Sequence, residues 1–264
     1  MKKDKRNSFI IDLPFACKRA VLTQARTHRD GVCPFIAEFD DGSRSFIKGP
    51  YKERETAARH VLCNEIKRRL KSAYLHPIDC EVREYDGTYF LVCEELGAAD
   101  LANTEEVETK MDGVFNVLKY DSDNDLVPNP FKYVGEINEE NRNTWVQIMV
   151  NYCFRWVFGI GDAAKRNLMI QRSTGRIYST DEASIDSVNH ESIWHSKSPG
   201  KDVLGLVREF TEDEESLSIV IDEVRRWKRH VNAVCCEFGL NPVNIERRVD
   251  VFLEDPERVL MFVK

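Results

Sequence analysis

The feature that most constrains the fold is the stretch from Gly159 to Ala183. It contains an acid, Asp162, then a short apolar run at 168–170, a turn at 173–175 and a second short run that leads to another acid, Asp181. Two short runs joined by a glycine-containing turn are typical of a β-hairpin. This hairpin would return Asp181 to the loop that carries Asp162.

A buried helix is predicted directly before this hairpin. From Asn138 onward, large apolar residues recur at three- to four-residue spacing, which indicates an α-helix. These residues are Trp145, Ile148, Met149, Tyr152, Cys153, Trp156 and Val157. They cover a wide face, so most of the helix circumference is expected to be buried. The helix would therefore hold the following loop on a rigid support.

The polar residues of the stretch are of the kinds that phosphoryl transfer from a nucleotide requires. In such sites one carboxylate orients the acceptor hydroxyl, while an amide oxygen and a second carboxylate hold Mg²⁺. We predict that Asp162 is the catalytic acid and that Asn167 and Asp181 hold the metal, with Mn²⁺ as an alternative to Mg²⁺. An ordinary surface loop and hairpin with polar residues remains the other interpretation.

The first third of the chain is predicted to form a five-stranded antiparallel sheet with one helix. The strands are short segments rich in β-branched and aromatic residues, with turns such as 40–43 and 86–87. A helix is predicted at 54–71 from its apolar periodicity. The predicted strands are residues 18–25, 34–39, 44–48, 80–85 and 88–94.

Three charged residues of this region are candidates for nucleotide binding. Lys48 ends the third strand, which Gly49-Pro50 is expected to stop, and a lysine there suits contact with phosphates. Glu65 and Glu55 lie on or beside the apolar face of the helix, where an acid would hold Lys48 ready for the phosphates. We rank Glu65 above Glu55. A solvated charge is the alternative for each of the three.

The rest of the chain is predicted to form a helical second lobe. The connector from Glu94 to Gly97, which includes Leu96, is where an adenine ring would meet backbone groups. Residues 98–138 are acidic, and we predict a surface insertion with at most short helices. Helices are predicted at 203–210, 216–238 and 243–253. The predicted fold is therefore α+β and two-lobed, with residues 1–96 and 97–264 as the lobes.

This order of elements resembles the protein-kinase-like fold. More narrowly, residues 151–185 (NYCFRWVFGIGDAAKRNLMIQRSTGRIYSTDEASI) are similar to the catalytic core of the phosphatidylinositol 3/4-kinase-related group. The resemblance implies that Asp162 is the catalytic-loop acid and that Asn167 and Asp181 are the metal ligands. For Lys48, the resemblance implies a nucleotide-binding role only because of the position of this lysine in the first lobe, since no local motif matches there. The implied cofactors are ATP and Mg²⁺.

The sequence departs from that group at three positions beside these residues. Ala163-Ala164 replaces an Arg-His pair, Ser179-Thr180 replaces His-Ile, and Glu182-Ala183 replaces Phe-Gly. Lys165 or Arg166 would have to supply the positive charge near the transferring phosphoryl group. Two hypotheses remain open. The chain is either an active kinase or a pseudokinase that serves as a nucleotide-binding scaffold.

Composition limits the partners, the cysteine chemistry and the cellular location that this chain is expected to have. The net charge of -7 gives no reason to expect a nucleic-acid partner. The eight cysteines show no CxxC pair or zinc spacing, so reduced thiols in a reducing compartment are expected. No apolar stretch is long enough for a transmembrane segment, and no signal region follows the basic start. We therefore expect a soluble, intracellular protein, most simply a cytoplasmic one. The oligomeric state is not indicated.

The acceptor is expected to carry a hydroxyl group. Between Ser184 and Asp202 the chain has only Lys197 and Lys201 to meet an anionic lipid headgroup. For this reason we favour a protein serine or threonine over a phosphoinositide. A small-molecule acceptor is the remaining alternative.

Overall fold

The computed structural model describes residues 17–23, 32–97, 100–109, 113–119, 124–161, 164–182, 185–186 and 201–261. Their secondary structure is mixed α+β, as predicted. The chain divides into two compact units. The first contains the described residues up to Val61 and those from Asp79 to Asn124, and the second contains Leu62 to Ile78 and the residues from Asp125 onward. The predicted boundary between the two lobes was a single one, after residue 96.

Seven strands form one sheet in the described part of the first unit, in the order β4-β5-β3-β2-β1-β7-β6. Neighbouring strands are antiparallel, except that β1 and β7 are parallel. The strands are β1 (Arg19–Leu22), β2 (Cys33–Glu38), β3 (Arg44–Tyr51), β4 (Cys80–Tyr85), β5 (Thr88–Glu94), β6 (Thr104–Thr109) and β7 (Gly113–Leu118). The predicted strands 80–85 and 88–94 are confirmed.

The prediction of a five-stranded antiparallel sheet was wrong in its strand number and in one strand direction. Strands β6 and β7 come from the acidic segment that was expected to be irregular. In β7, Phe115 and Val117 are buried while Asn116 is exposed, so the strand carries the usual alternation. In β6, the outermost strand, Glu105 and Glu106 are exposed. Three of the acids in this segment, Glu105, Glu106 and Glu108, belong to an edge strand, where charge discourages further pairing.

Strand β3 continues past the point where it was expected to stop. Gly49 pairs with Cys33 of β2, and the strand reaches Tyr51 after a register shift. A Cβ atom on Gly49 would lie 2.5 Å from Cδ1 of Phe90. Glycine is therefore required here for close packing against β5, and it does not mark a strand end.

The second unit is organised around helix α3 (Arg142–Val157), which is buried from Trp145 to Val157. This confirms the predicted buried helix. The helix packs against α5, α7 and β10. The second unit also contains a sheet of β8 (Leu126–Pro128), β9 (Leu168–Gln171) and β10 (Arg176–Ser179), and the helix α2 (Phe131–Val134). Helix α1 (Arg54–Leu70), predicted at 54–71, belongs to this unit from Leu62 onward.

The C-terminal part of the second unit is helical. The helices are α4 (Lys201–Glu212), α5 (Glu214–Lys228), α6 (Val231–Phe238), α7 (Pro242–Glu254) and α8 (Pro256–Met261). The single helix predicted at 216–238 is therefore two helices. The apolar spacing continues across the break from Trp227 to Val231, both buried, so periodicity alone does not reveal it. Among the described helices, none has the length and apolar character needed to cross a membrane.

Candidate functional site

The predicted hairpin is present between Asn167 and Asp181. Strands β9 and β10 pair antiparallel, with Leu168 opposite Ser179. The turn closes with a hydrogen bond of 2.7 Å from the Gly175 N–H to the Gln171 carbonyl. Asn167 directly precedes the first strand, and Asp181 follows the second by one intervening residue. The hairpin therefore returns the chain to its starting point, as the sequence predicted.

Main-chain bonds hold the two ends of the hairpin together. The backbone N–H of Thr180 donates to the Asn167 carbonyl at 2.8 Å, and the Thr180 hydroxyl donates to the same oxygen at 3.2 Å. Asn167 itself closes a 3₁₀ turn with a bond of 2.8 Å to the Ala164 carbonyl, and it is buried. Asp181 is thus the residue next to the one bound to Asn167.

The backbone of Asp181 is in the left-handed region, with a φ of 57°. Aspartate tolerates this conformation better than most residues, but it is uncommon outside glycine. Such a conformation persists only where the surroundings fix the chain on both sides. Two buried cations do so here.

The first buried cation is Arg155 of α3. Its Nη1 donates to the Ser179 hydroxyl at 3.0 Å and to the Thr180 carbonyl at 2.9 Å. Its Nη2 donates to the Gly161 carbonyl at 3.0 Å and to the Asp181 carbonyl at 3.4 Å. One guanidinium therefore binds both the segment that precedes the predicted catalytic acid and the segment that carries the predicted metal acid. Arg155 was not among the predicted site residues, although an arginine within an apolar helical run is a visible anomaly.

The second buried cation is Lys67 of α1. Its Nζ lies 2.7 Å from Oε2 of Glu182 and donates to the Ser179 carbonyl at 3.2 Å. The same Nζ is 5.4 Å from the centre of the Phe154 ring. The side chains of Lys67 and Glu182 are 0% and 2% exposed, so this is a fully buried ion pair. Arg155 adds a longer contact of 3.9 Å to Oε1 of Glu182.

A third buried cation, Arg248 of α7, binds the chain a few residues further on. Its Nε donates to the Val157 carbonyl at 2.7 Å, and its Nη2 donates to Oδ1 of Asp186 at 3.0 Å. The Asp186 N–H donates to the Phe158 carbonyl at 2.8 Å. Burial lowers the pKa of Arg248 from its usual value, and the hydrogen bond to Asp186 opposes that change. The C-terminal end of α3 is thereby tied to the chain that follows the hairpin.

The remaining predicted site residues lie as follows. Lys48 is buried in β3, so it is not a solvated lysine at a strand end. Glu55 is exposed in the first turn of α1, and Glu65 binds Arg68 within the same helix. Pairing of either acid with Lys48 stays a prediction.

The predicted connector follows β5. Glu94 is exposed at the end of that strand, and its Oε1 accepts a bond of 2.9 Å from the Asp79 N–H. Leu96 is partly buried. Lys165 is partly buried on the 3₁₀ turn beside Asn167. Asp162, the predicted catalytic acid, lies outside the described residues.

The donor set fits a hard divalent cation. Mg²⁺ at nucleotide sites is bound by one or two carboxylates together with waters and substrate phosphates. The Asn167 amide and the Asp181 carboxylate supply oxygen atoms of this type, on chain segments that Thr180 and Arg155 hold together. Within the described ranges there is no cluster of three or more His, Cys, Asp or Glu residues that could hold a metal.

No protein-family model matches the chain, and no curated protein matches it either. Among solved structures, HipA of the Shewanella oneidensis MR-1 toxin–antitoxin system, in a complex with HipB and operator DNA, is 12% identical with a TM-score of 0.39. The match covers 83% of this chain and 59% of HipA. The Helicobacter pylori proinflammatory kinase CtkA is 11% identical with a TM-score of 0.39, over 94% of this chain and 98% of CtkA.

The open conformation of CtTel1 is 12% identical with a TM-score of 0.32, over 87% of this chain and 11% of CtTel1. This chain thus spans only part of the length of HipA and a small part of CtTel1. The narrower resemblance to the phosphatidylinositol 3/4-kinase-related group gains no support from a family model.

Proposed function

We propose that this chain is an ATP- and Mg²⁺-dependent phosphotransferase with a hydroxyl acceptor, on a protein-kinase-like fold. The observation that carries the proposal is the joining of the Asn167 and Asp181 segments by the two bonds from Thr180. An amide and a carboxylate held on adjacent segments are the metal-binding part of a phosphoryl-transfer site. Arg155 supports the proposal because it binds the chain immediately before Asp162 as well as the Asp181 segment.

In the proposed reaction each residue has a separate task. Asp162 accepts the proton of the acceptor hydroxyl, whose oxygen forms a bond to the γ-phosphorus. The bond between that phosphorus and the β–γ bridging oxygen breaks, and ADP leaves. Asn167 and Asp181 would hold Mg²⁺, which neutralises charge on the phosphates when bound. The protein contributes mainly by orientation, since phosphoryl transfer depends on alignment of the reacting groups.

The roles of two lysines in this proposal come from the sequence. Lys48 would bind the nucleotide phosphates as a compact positive charge. Lys165 would place positive charge near the transferring group, since Ala163-Ala164 offers none. A protein serine or threonine is the favoured acceptor, and a phosphoinositide or a small molecule is the alternative.

A nucleotide-binding scaffold without turnover is the second candidate. It is favoured by the pair Glu182-Ala183, which replaces the Phe-Gly of the phosphatidylinositol 3/4-kinase-related pattern. The buried pairing of Glu182 with Lys67 fixes the segment after Asp181. A segment fixed in this way would suit a protein that signals by binding nucleotide. Both candidates share the metal and nucleotide site and differ only in turnover.

The test combines nucleotide binding with turnover. Thermal stability is measured with ATP, with and without Mg²⁺, and phosphate transfer is then followed with a lysate, peptides and lipid vesicles as acceptors. We expect Asp162→Ala to lower transfer by about 10²-fold or more while nucleotide binding is retained. Asp181→Ala should remove the Mg²⁺-dependent part of the stabilisation.

Asp222→Ala is the matched control, because this aspartate is exposed on α5 and pairs with Arg225. It should behave as the wild type does. Undiminished transfer in both site variants would overturn the proposal. Stabilisation by Mg²⁺-ATP without transfer to any acceptor would favour the scaffold instead.

A further inference from the structure

Glu182 is in an unusual position for a carboxylate. It directly follows Asp181, yet its side chain is only 2% exposed. Burying a carboxylate is costly unless a cation and hydrogen bonds compensate it. An apolar pair of similar volume is often as stable as a buried ion pair or more so. Stability alone therefore gives little reason for an ion pair at this place.

The contacts of Lys67 and Glu182 all lie on the chain around Asp181. Lys67 binds the Ser179 carbonyl at 3.2 Å as well as the Glu182 carboxylate at 2.7 Å. The backbone carbonyl of Glu182 accepts a bond of 3.3 Å from the Cys63 thiol, one turn earlier on α1. Helix α1 thus holds the chain two residues before Asp181 and one residue after it.

Arg155 completes this arrangement from the other side. It binds the Thr180 and Asp181 carbonyls, which lie between the two points held by α1. Four consecutive residues are therefore fixed by two buried cations on two helices. Asp181, with its φ of 57°, is one of them. Because aspartate does not prefer the left-handed conformation, loss of these bonds would let the backbone at Asp181 leave it.

We infer that Lys67 and Glu182 are positioning residues, which hold the Asp181 carboxylate in its metal-binding conformation and make metal affinity depend on helix α1. The inference rests on the proposed metal-binding role of Asp181. In this inference, the ion pair between Lys67 and Glu182 links helix α1 to the proposed metal site. This link differs from the one predicted from the sequence, in which Glu65 or Glu55 pairs with Lys48.

The decisive variant is the double substitution Lys67→Met with Glu182→Gln. Each single substitution leaves one buried charge without its partner and should lower thermal stability. The double variant removes both charges of the close pair and costs Arg155 only its 3.9 Å contact with Glu182, so it should recover most of that loss. If the pair positions Asp181, the double variant should still need about 10-fold more Mg²⁺ to half-saturate the stabilisation by ATP, as found when groups behind metal ligands are removed.

The control is Glu223→Gln. Glu223 is a buried acid on α5 of the same unit, paired with Arg226 and with the Trp227 indole N–H. This variant should lose stability and keep the Mg²⁺ requirement of the wild type. Lys67→Arg is a second site variant, because it keeps a buried cation but changes its reach. It should raise the Mg²⁺ requirement, and it should also lower thermal stability, because a larger side chain must fit in a fully buried position.

The outcomes separate this inference from the proposed function. If the wild type shows no Mg²⁺-dependent nucleotide binding, the proposed function is overturned, and the inference with it. A different outcome is that the wild type binds nucleotide in a Mg²⁺-dependent way while both the double variant and Lys67→Arg keep its Mg²⁺ requirement. In that case only the inference is overturned. A raised Mg²⁺ requirement in a double variant of near wild-type stability supports it.

Discussion

At the scale of single residues, the second unit places buried charge where its main chain needs fixing. Lys67, Arg155 and Arg248 are each less than 5% exposed, and each binds at least one backbone carbonyl as well as a carboxylate. Removing a buried cation leaves those acceptors without a donor, which costs more than the net contribution of the bonds. The largest single-residue effects are therefore expected at these positions.

The first prediction concerns Arg155→Met. It leaves three backbone carbonyls and the Ser179 hydroxyl without this donor, and we expect the free energy of unfolding to fall by roughly 3–5 kcal/mol. Arg142→Met is the control, since Arg142 is 30% exposed in its pairs with Asp213 and Glu215. It should cost about 1 kcal/mol or less. Urea denaturation measures both. Equal losses would contradict the assigned role of Arg155.

The second prediction concerns pH and His76. Its Nε2 lies 3.0 Å from Oε1 of Gln147, which also accepts the Ile177 N–H. Burial lowers the pKa of His76, and the charges of Arg176 and Lys67 lower it further against the opposing bond to Gln147. The unfolded histidine binds a proton near pH 6.5 and the folded one only at lower pH. Stability should therefore fall as the pH drops below about 6.5.

The check is the same denaturation series from about pH 7.5 to about pH 5.5, on either side of the unfolded pKa. His76→Gln, which cannot titrate, should lose less stability than the wild type over this interval. Carboxylates elsewhere contribute equally to both proteins, so only the difference between the two slopes is informative. A variant slope as steep as that of the wild type would contradict a neutral folded His76.

At the scale of elements, local pairing was predictable and long-range pairing was not. The hairpin from Asn167 to Asp181 was predicted correctly because its strands and turn are neighbours in sequence. Lys67 and Glu182 are 115 residues apart, and no local pattern connects them. The parallel pairing of β1 with β7 is also long-range, because Leu22 pairs with Val117, which is far away in the sequence. The hairpin that brings the segments of Asn167 and Asp181 together could thus be predicted from sequence, whereas the distant residues that hold it could not.

The third prediction tests the register of β4 and β5. Cys80 lies opposite Cys93, next to the hydrogen-bonded pair of Asp79 and Glu94. It is therefore a non-hydrogen-bonded pair, with Cα atoms about 4.5 Å apart, a separation that a disulfide can span. Diamide, which takes up the two thiol hydrogens, should join these cysteines within one chain.

Peptide mapping by mass spectrometry would identify the link. The hydrogen bond with Cys80, together with burial, raises the pKa of the Cys93 thiol, so the reaction should be slow near neutral pH and faster in alkaline solution. Cys80→Ser should abolish the link, and Cys63→Ser, in α1, should leave it unchanged. A link from Cys80 or Cys93 to a different cysteine of the same chain, in place of the link between them, would contradict this register.

At the scale of the whole molecule, the two units differ in how their cores are built. The second unit has a long helix at its centre, with the residues from Trp145 to Val157 buried without interruption. The first unit is built on a sheet whose last strand, β6, has exposed acids and one unpaired edge among the described strands. Apolar periodicity reveals the first kind of core directly. It does not reveal the second, because the edge strand carries an acidic sequence.

The last prediction follows from this difference. Amides in the middle of α3 are bonded within the helix and covered on all sides, so they should exchange with solvent only when the second unit unfolds. Amides of β6 should exchange by local fraying, since alternate N–H groups of an edge strand face outward. Hydrogen exchange at rising urea concentrations measures both. The opening free energy of α3 should fall with urea as steeply as global unfolding does, while that of β6 should hardly change. If α3 opened at low cost without urea dependence, it could not be the rigid support that the proposed site at Asn167 and Asp181 requires.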